Sequence, residues 1–331
     1  MSTPLNQGQR TVDSKAIRET PIGPQQTGYQ LFVSISVVFV LTLVLCVVFS
    51  LTLGRPYPMI HDEYSYCLAG ETFASGRMTN ATHPMAEHFE AMHVLQYPTY
   101  MSKYPPGQGM VLAIGHWLGH PIFGVWLSLA LACAAITWAM TAVVDGIWAC
   151  VCGILFAFLM NCTFYFMQIG YWASSYWGGS VACLGSALAF GSVLWLGREV
   201  DGACQLVAVD KNKGLVDSSG GDNASPSGSV PTTGASAQRL VTLPTIFVVG
   251  LWLMAMSRPL EGLLVSIPMS IGMLMLLRQY ARTITVYSTL KKLALPMLVG
   301  SIGVIWLGYY NARITGSPFK LAYLCYEQHR R

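Results

Sequence analysis

The sequence predicts an all-α integral membrane protein of about seven transmembrane helices with a helical first extracytoplasmic loop. Three observations carry this. Hydrophobic residues make up 53% of the 331-residue chain and charged residues 10%, where a soluble domain has roughly a quarter charged. Mean hydropathy is +0.48. Apolar runs long enough to span a bilayer recur along the chain, and no Asp, Glu, Lys, Arg or His falls within them.

Residues 1–28 form a polar tail rich in Gln, Thr and Pro. The apolar run that follows, residues 29–53, exceeds the roughly 7 to 15 residues of a signal-peptide core, so it reads as a retained first span. Further runs near 121–143, 147–166, 177–197, 240–256, 262–277 and 293–312 complete seven. The chain thus divides into the tail, a first span, an outer loop (54–107), spans two to four (108–198), a polar linker (199–239), spans five to seven (240–312) and an outer tail (313–331). The linker contains SSGGDNASPSGSVPTTGASAQ and reads as disordered.

Basic residues set the orientation. With the N-terminus in the cytoplasm, eleven of the nineteen lysines and arginines lie inside, and three of the remainder sit in the last dozen residues; the positive-inside rule favours this arrangement. The expected location is the plasma or inner membrane, multi-pass, with the loop, the joints near 168–176 and 257–261, and the C-terminal tail on the outer face. The formal charge of +4 is spread along the chain, so nucleic-acid binding is not expected. Most of the nine cysteines fall within apolar runs, where a thiol behaves as a small hydrophobe, and no disulfide framework is implied.

The absence of ionisable groups at membrane depth argues against ion-coupled transport. Charge concentrates instead in the outer loop. MIHDEYSYCLAGETFASGR predicts a helix over 62–76, with Gly76 as its C-cap, and a second helix is expected over 84–93. The spacing of Tyr66, Ala69, Gly70 and Phe73 points to an interfacial helix anchored by Tyr64 and Tyr66. Asp62 and Glu63 occupy its first turn, where orphan N–H groups and the helix dipole favour ionised carboxylates. They are either a cap and a first-turn acid or a base able to take a proton from an attacking hydroxyl or amine.

Lys103 precedes Pro105 and Pro106, which fix an extended backbone before the second span. It is either a snorkelling boundary residue or a contact for a lipid phosphate. Arg258 poses the same choice between a phosphate clamp and an interface charge paired with Glu261. His83, Glu87, His88 and His93 leave a divalent metal open, but no HExxH-type spacing is present and no cofactor is expected. Asn80-Ala81-Thr82 and Asn223-Ala224-Ser225 match the glycosylation pattern. QIGYWASSYWGG reads as an aromatic outer joint.

A first span, an outer loop opening on Asp62-Glu63, a Gly-Arg turn and a Lys-Tyr-Pro-Pro element before the second span together resemble the GT-C superfamily of membrane glycosyltransferases. Within it the chain is most similar to bacterial relatives of the dolichyl-phosphate-mannose protein mannosyltransferases and of the lipid A aminoarabinose transferase. The likeness covers residues 30–320, and its specific part is 61–109. It implies a polyprenyl-phosphate-linked sugar as donor, a protein, lipid or polysaccharide acceptor, and transfer with inversion. It assigns catalysis to Asp62 with Glu63 beside it, and donor phosphate to Lys103; Arg258 joins the phosphate site from topology. His61, Tyr64, Arg77 and Tyr104, in the same loop, are expected to bind substrate.

Asp62 and Lys103 should then meet at one outward-facing cavity. The family's module is followed by a second, variable one, whereas this chain stops at YLCYEQHRR; the resemblance therefore implies an N-terminal module. A non-catalytic or truncated partner subunit of that fold, and a multi-span lipid transporter, stand as the alternatives.

Overall fold

A computed structural model describes residues 28–54, 56–162, 164–165, 168–169, 171–218, 234–283 and 291–329. The helices in chain order are α1 (Gly28–Leu53), α2 (His61–Ala74), α3 (Pro106–Trp117), α4 (Ile122–Met140), α5 (Gly146–Cys162), the short α6 (Tyr171–Ser174), α7 (Gly179–Ser218), α8 (Gly234–Ser257), α9 (Pro259–Thr283), α10 (Ala294–Thr315) and α11 (Ala322–His329). Two antiparallel pairs of two-residue strands, β1 (Val94–Leu95) with β2 (Met101–Ser102) and β3 (Phe164–Tyr165) with β4 (Gln168–Ile169), are the sheet among the described residues. The molecule is an all-α integral membrane protein.

Among the described residues six helices are long and apolar enough to cross a membrane: α1, α4, the first 27 residues of α7, the last 20 of α8, α9 and α10. The third expected span appears as α5, a 17-residue apolar helix. At 1.5 Å per residue it measures about 25 Å, at the short end of what a hydrocarbon core of about 30 Å admits. Helix α1 is the most apolar and the least covered, as expected of a helix that faces lipid along most of its length.

The bundle forms around two apolar clusters. Val38 and Cys46 of α1, Leu129 and Cys133 of α4 and Ala157 of α5 meet in the first. Leu196 of α7, Phe247 and Met254 of α8 and Met273 of α9 meet in the second. Between α7 and α8 the backbones touch: a Cβ added at Gly250 would lie 2.5 Å from the Gly185 carbonyl oxygen, and one at Gly185 would lie 2.7 Å from that of Gly250. Lipid provides no hydrophobic drive for helix association, so such small-residue contacts do much of the joining.

The linker does not begin at 199, because α7 continues to Ser218, 40 residues or about 60 Å in all. The stretch REVDGACQLVAVDKNKGLVD has no proline and is dominated by residues that tolerate a helix, while the Ser/Gly/Pro-rich part starts only after it. Residues 219–233, with Asn223, and the tail up to residue 27 lie outside the described residues. The second loop helix, expected over 84–93, reduces to a 3₁₀ turn at Ala86–Phe89. His93 has φ +65°, a left-handed conformation that no helix can contain.

Helix α2 ends at Ala74 with Ser75 as its C-cap, two residues short of the expected bound, and closes on Gly76. Gly76 adopts φ +73°, its N–H reaches the Phe73 carbonyl (2.9 Å), and the Arg77 N–H reaches that of Thr72 (3.1 Å). This is a Schellman closure, and glycine occupies the left-handed position that a side chain would strain. The stripe of Tyr66, Ala69, Gly70 and Phe73 is not interfacial, however. A Cβ on Gly70 would lie 2.7 Å from Leu112 Cβ, and one on Gly109 would lie 2.7 Å from Ala69 Cβ and 2.9 Å from Phe73. The stripe is the face that packs on α3, and Tyr66 is buried while Tyr64 is exposed.

Candidate functional site

Four segments far apart in sequence gather at one end of the bundle. Tyr176 of the α6–α7 joint donates its hydroxyl to the Pro56 carbonyl (3.0 Å). Gln108, at the start of α3, donates its amide to the Tyr176 carbonyl (2.9 Å). Ser257, at the end of α8, donates to the Gly178 carbonyl (2.8 Å). The C-terminal end of α10 and helix α11 pack on the loop, with Tyr310, Ile314, Ala322, Cys325 and Tyr326 against Ala69, Leu95 and Met101. Thr99 bonds the Ile314 carbonyl across this seam (3.1 Å).

The adjacent acids of α2 have different surroundings. The N-cap is Ile60 and makes no side-chain cap, so neither acid is the N-cap. Glu63 is 3% exposed and accepts three hydrogen bonds: from the Met59 N–H (2.8 Å), the Ser175 hydroxyl (2.6 Å) and the Tyr176 N–H (2.9 Å). It clamps the start of α2 to the α6–α7 joint. A buried carboxylate so supplied with donors is well satisfied and has little capacity left for chemistry.

Asp62 points the other way, with its side chain 21% exposed. Its Oδ1 accepts the hydroxyl of Tyr104 and lies 3.0 Å from His93 Nε2. Among the described residues Oδ2 has no such partner. Burial, and after it the bond to Asp62, pushes the Tyr104 phenol well above the usual tyrosine range, so it remains a proton donor. Its ring stacks on Tyr66 with centroids 4.5 Å apart.

Lys103 follows the β1–β2 hairpin and is 6% exposed. Its ammonium lies 5.3 Å from the ring centre of Tyr104, 4.9 Å from that of Tyr323 and 4.6 Å from that of Tyr326. Three electron-rich faces replace part of the lost hydration, each worth about 0.5 to 2 kcal/mol. Two of them come from α11. The lysine expected at an open interface is thus roofed by the C-terminal helix, and Tyr104 touches both Asp62 and Lys103.

A chain of bonds fixes this hairpin to α2. The Tyr104 N–H donates to Ser102 Oγ (3.2 Å), the Ser102 and Ser65 hydroxyls are 2.7 Å apart, and Ser65 donates to the His93 carbonyl (2.6 Å). The proton of Ser65 is used on His93, so Ser102 is the donor between the two serines. The Lys103 N–H donates to the same His93 carbonyl (3.1 Å), and the His93 N–H donates to Tyr326 Oη (3.0 Å).

The other candidates take different places. Arg258 bonds Glu261 (3.2 Å) and lies over the Trp177 ring. His61, Tyr64 and the Arg77 side chain are exposed on and just after α2. The histidines of the loop do not act as a set: His83 accepts from the Met85 N–H and packs edge-on to Phe89, while His93 turns to Asp62. Among the described residues no three of His, Cys, Asp and Glu gather as metal ligands. Asn80 is tied to Thr72 (2.8 Å) inside the loop. All nine cysteines are free, and burial, with the charges of Glu63 and Glu71, pushes the Cys67 thiol up to about 12.

His93, Tyr323 and Tyr326 as members of the Asp62–Lys103 site, and Ser175 and Tyr176 as partners of Glu63, were not anticipated from sequence. The one available signal was the grouping of aromatics in LAYLCYEQH. Comparison of the chain with protein-family models, with curated proteins and with solved structures finds no match in any of the three.

Proposed function

We propose that this chain is a membrane glycosyltransferase, or the N-terminal module of one, that moves a sugar from a polyprenyl-phosphate donor to an acceptor at the outer face of the membrane. The observation that carries the reading is the pairing of a half-open carboxylate, Asp62, with a lysine ammonium across one shared residue, Tyr104. The resemblance of the loop to the GT-C superfamily supplies the donor class.

In this reading Oδ2 of Asp62 takes the proton of the acceptor hydroxyl as its oxygen attacks the anomeric carbon. The bond from that carbon to the phosphate oxygen breaks, and its electron pair leaves with the polyprenyl phosphate. One displacement inverts the anomeric centre. Lys103 offsets the negative charge on the leaving phosphate, a contribution that grows toward the transition state and so accelerates the step. Glu63 is structural. Arg198, midway along α7, and Arg239, near the start of α8, both lie over the Trp195 ring, away from the site, and support a cytoplasmic assignment for that side and an extracytoplasmic one for the site.

One observation favours a second reading, a non-catalytic partner of the same fold: Lys103 is covered by Tyr323 and Tyr326. The two readings separate in membranes containing the chain and a radiolabelled polyprenyl-phosphate sugar. Transfer that is lost in Asp62→Asn and strongly reduced in Lys103→Ala supports the enzyme. A correctly inserted wild type that transfers nothing refutes activity of this chain on its own.

A further inference from the structure

We infer that His93 is a positioning residue for Asp62: it holds Oδ1 so that Oδ2 alone is presented to the acceptor. The inference rests on the transferase reading and adds to it a residue that the resemblance does not assign. His93 Nε2 is 3.0 Å from Oδ1, and a carboxylate oxygen can only accept, so Nε2 carries the proton. The Tyr104 hydroxyl reaches the same Oδ1. Two donors on one oxygen fix both the rotation of the carboxylate and the identity of the oxygen left for chemistry.

The imidazole is aimed by its backbone. His93 has φ +65°, a left-handed conformation uncommon for residues with a side chain, histidine being among those that adopt it more often. Here its N–H is fixed to Tyr326 Oη of α11, and its carbonyl takes bonds from Ser65 of α2 and from the Lys103 N–H. The three elements that build the site therefore converge on one residue, whose side chain then meets the reactive carboxylate. The rings beside the pair are Tyr104, just after the hairpin, and Tyr326 of α11, and Lys103 lies over the Tyr104 ring. A left-handed backbone held by bonds at both its N–H and its carbonyl, aiming a side chain at a carboxylate, fits the way catalytic constellations are held within narrow tolerances.

The test uses the full chain in lipid nanodiscs with ¹⁵N-labelled histidine, the His93 signals being identified by their loss in His93→Gln. The wild type should show Nε2 protonated with a downfield proton, and Asp62→Ala should move that proton upfield. In the transfer assay His93→Ala should lower kcat on the order of ten- to a hundredfold, with KM for the donor changed less than about twofold, because it acts on the base and not on donor binding. His93→Gln, whose amide can donate to Oδ1, should recover most of the loss.

A downfield proton indifferent to Asp62→Ala overturns the inference, as does an unchanged kcat in His93→Ala at unaltered melting temperature. A wild type that transfers no sugar but shows the signal and its dependence on Asp62 would refute the transferase reading while supporting the orientation of Asp62 by His93.

Discussion

The Lys103 ammonium lies 4.6 Å from the centre of the Tyr326 ring, although 223 positions separate the two residues in the chain. This contact joins the loop between α1 and α3 to α11, and the His93–Tyr326 bond repeats the connection. The C-terminal helix is therefore part of the site's wall.

Removing that wall has a measurable consequence. Tyr326→Ala should expose Lys103, raising its rate of acylation by a water-soluble amine reagent about tenfold or more over the wild type, with the modified lysine identified by peptide mass. The same change should cost about 1 to 3 kcal/mol of stability through a lost cation–π contact and a cavity. Equal acylation in both proteins would mean that the cage does not persist.

The two neighbouring acids should respond oppositely to substitution. Glu63→Ala strands the Met59 and Tyr176 N–H groups and the Ser175 hydroxyl, at about 1 to 3 kcal/mol for each group that water cannot reach. A clear drop in melting temperature is expected. Asp62→Asn keeps an acceptor at Oδ1 in a partly exposed place and should melt within a few degrees of the wild type.

Tyr104 predicts a dependence on alkaline pH. Burial and the Asp62 bond raise its phenol above the ordinary value, so the folded chain holds this proton more tightly than the unfolded one. The associated stability is complete below a pH of about 10, the unfolded value, and is lost as pH rises beyond it. Between pH 9 and 11 the melting temperature of the wild type should fall more steeply than that of Tyr104→Phe; parallel curves would exclude the effect.

Close approach of α7 and α8 makes Gly250 intolerant of a side chain. Gly250→Leu should separate the helices and destabilise the bundle by several kcal/mol, read as a lower melting temperature and faster proteolysis. Gly197, where an added Cβ would meet only Leu276 side-chain atoms at 3.9 and 4.0 Å, serves as the control: Gly197→Ala should be nearly neutral.

What could be read from the sequence depended on the range of the interactions involved. Apolar runs report local burial, so the spans emerged near their observed places, and the Gly76 closure of α2 is a signal contained in five residues. The third span came out short because the apolar stretch passes beyond Cys162 into β3. Residues 199–218 are polar and read as linker, yet they continue α7, because the segment has no helix breaker of the proline kind. Asp62 could be singled out from its position in a first turn. That Glu63 is a clamp depends on Ser175 and Tyr176, 112 and 113 positions away, and the cage of Lys103 depends on α11. His93 stood out in the sequence only as one of several loop histidines, since nothing local reveals that its backbone turns it toward Asp62.

The division of labour between the acids is the centre of the account, and one paired measurement tests it most directly: sugar transfer and melting temperature for the wild type, Asp62→Asn and Glu63→Ala in the same membranes. Asp62→Asn should melt within a few degrees of the wild type and lose transfer, while Glu63→Ala should melt earlier and retain transfer in whatever fraction stays folded. Full transfer by Asp62→Asn would contradict it.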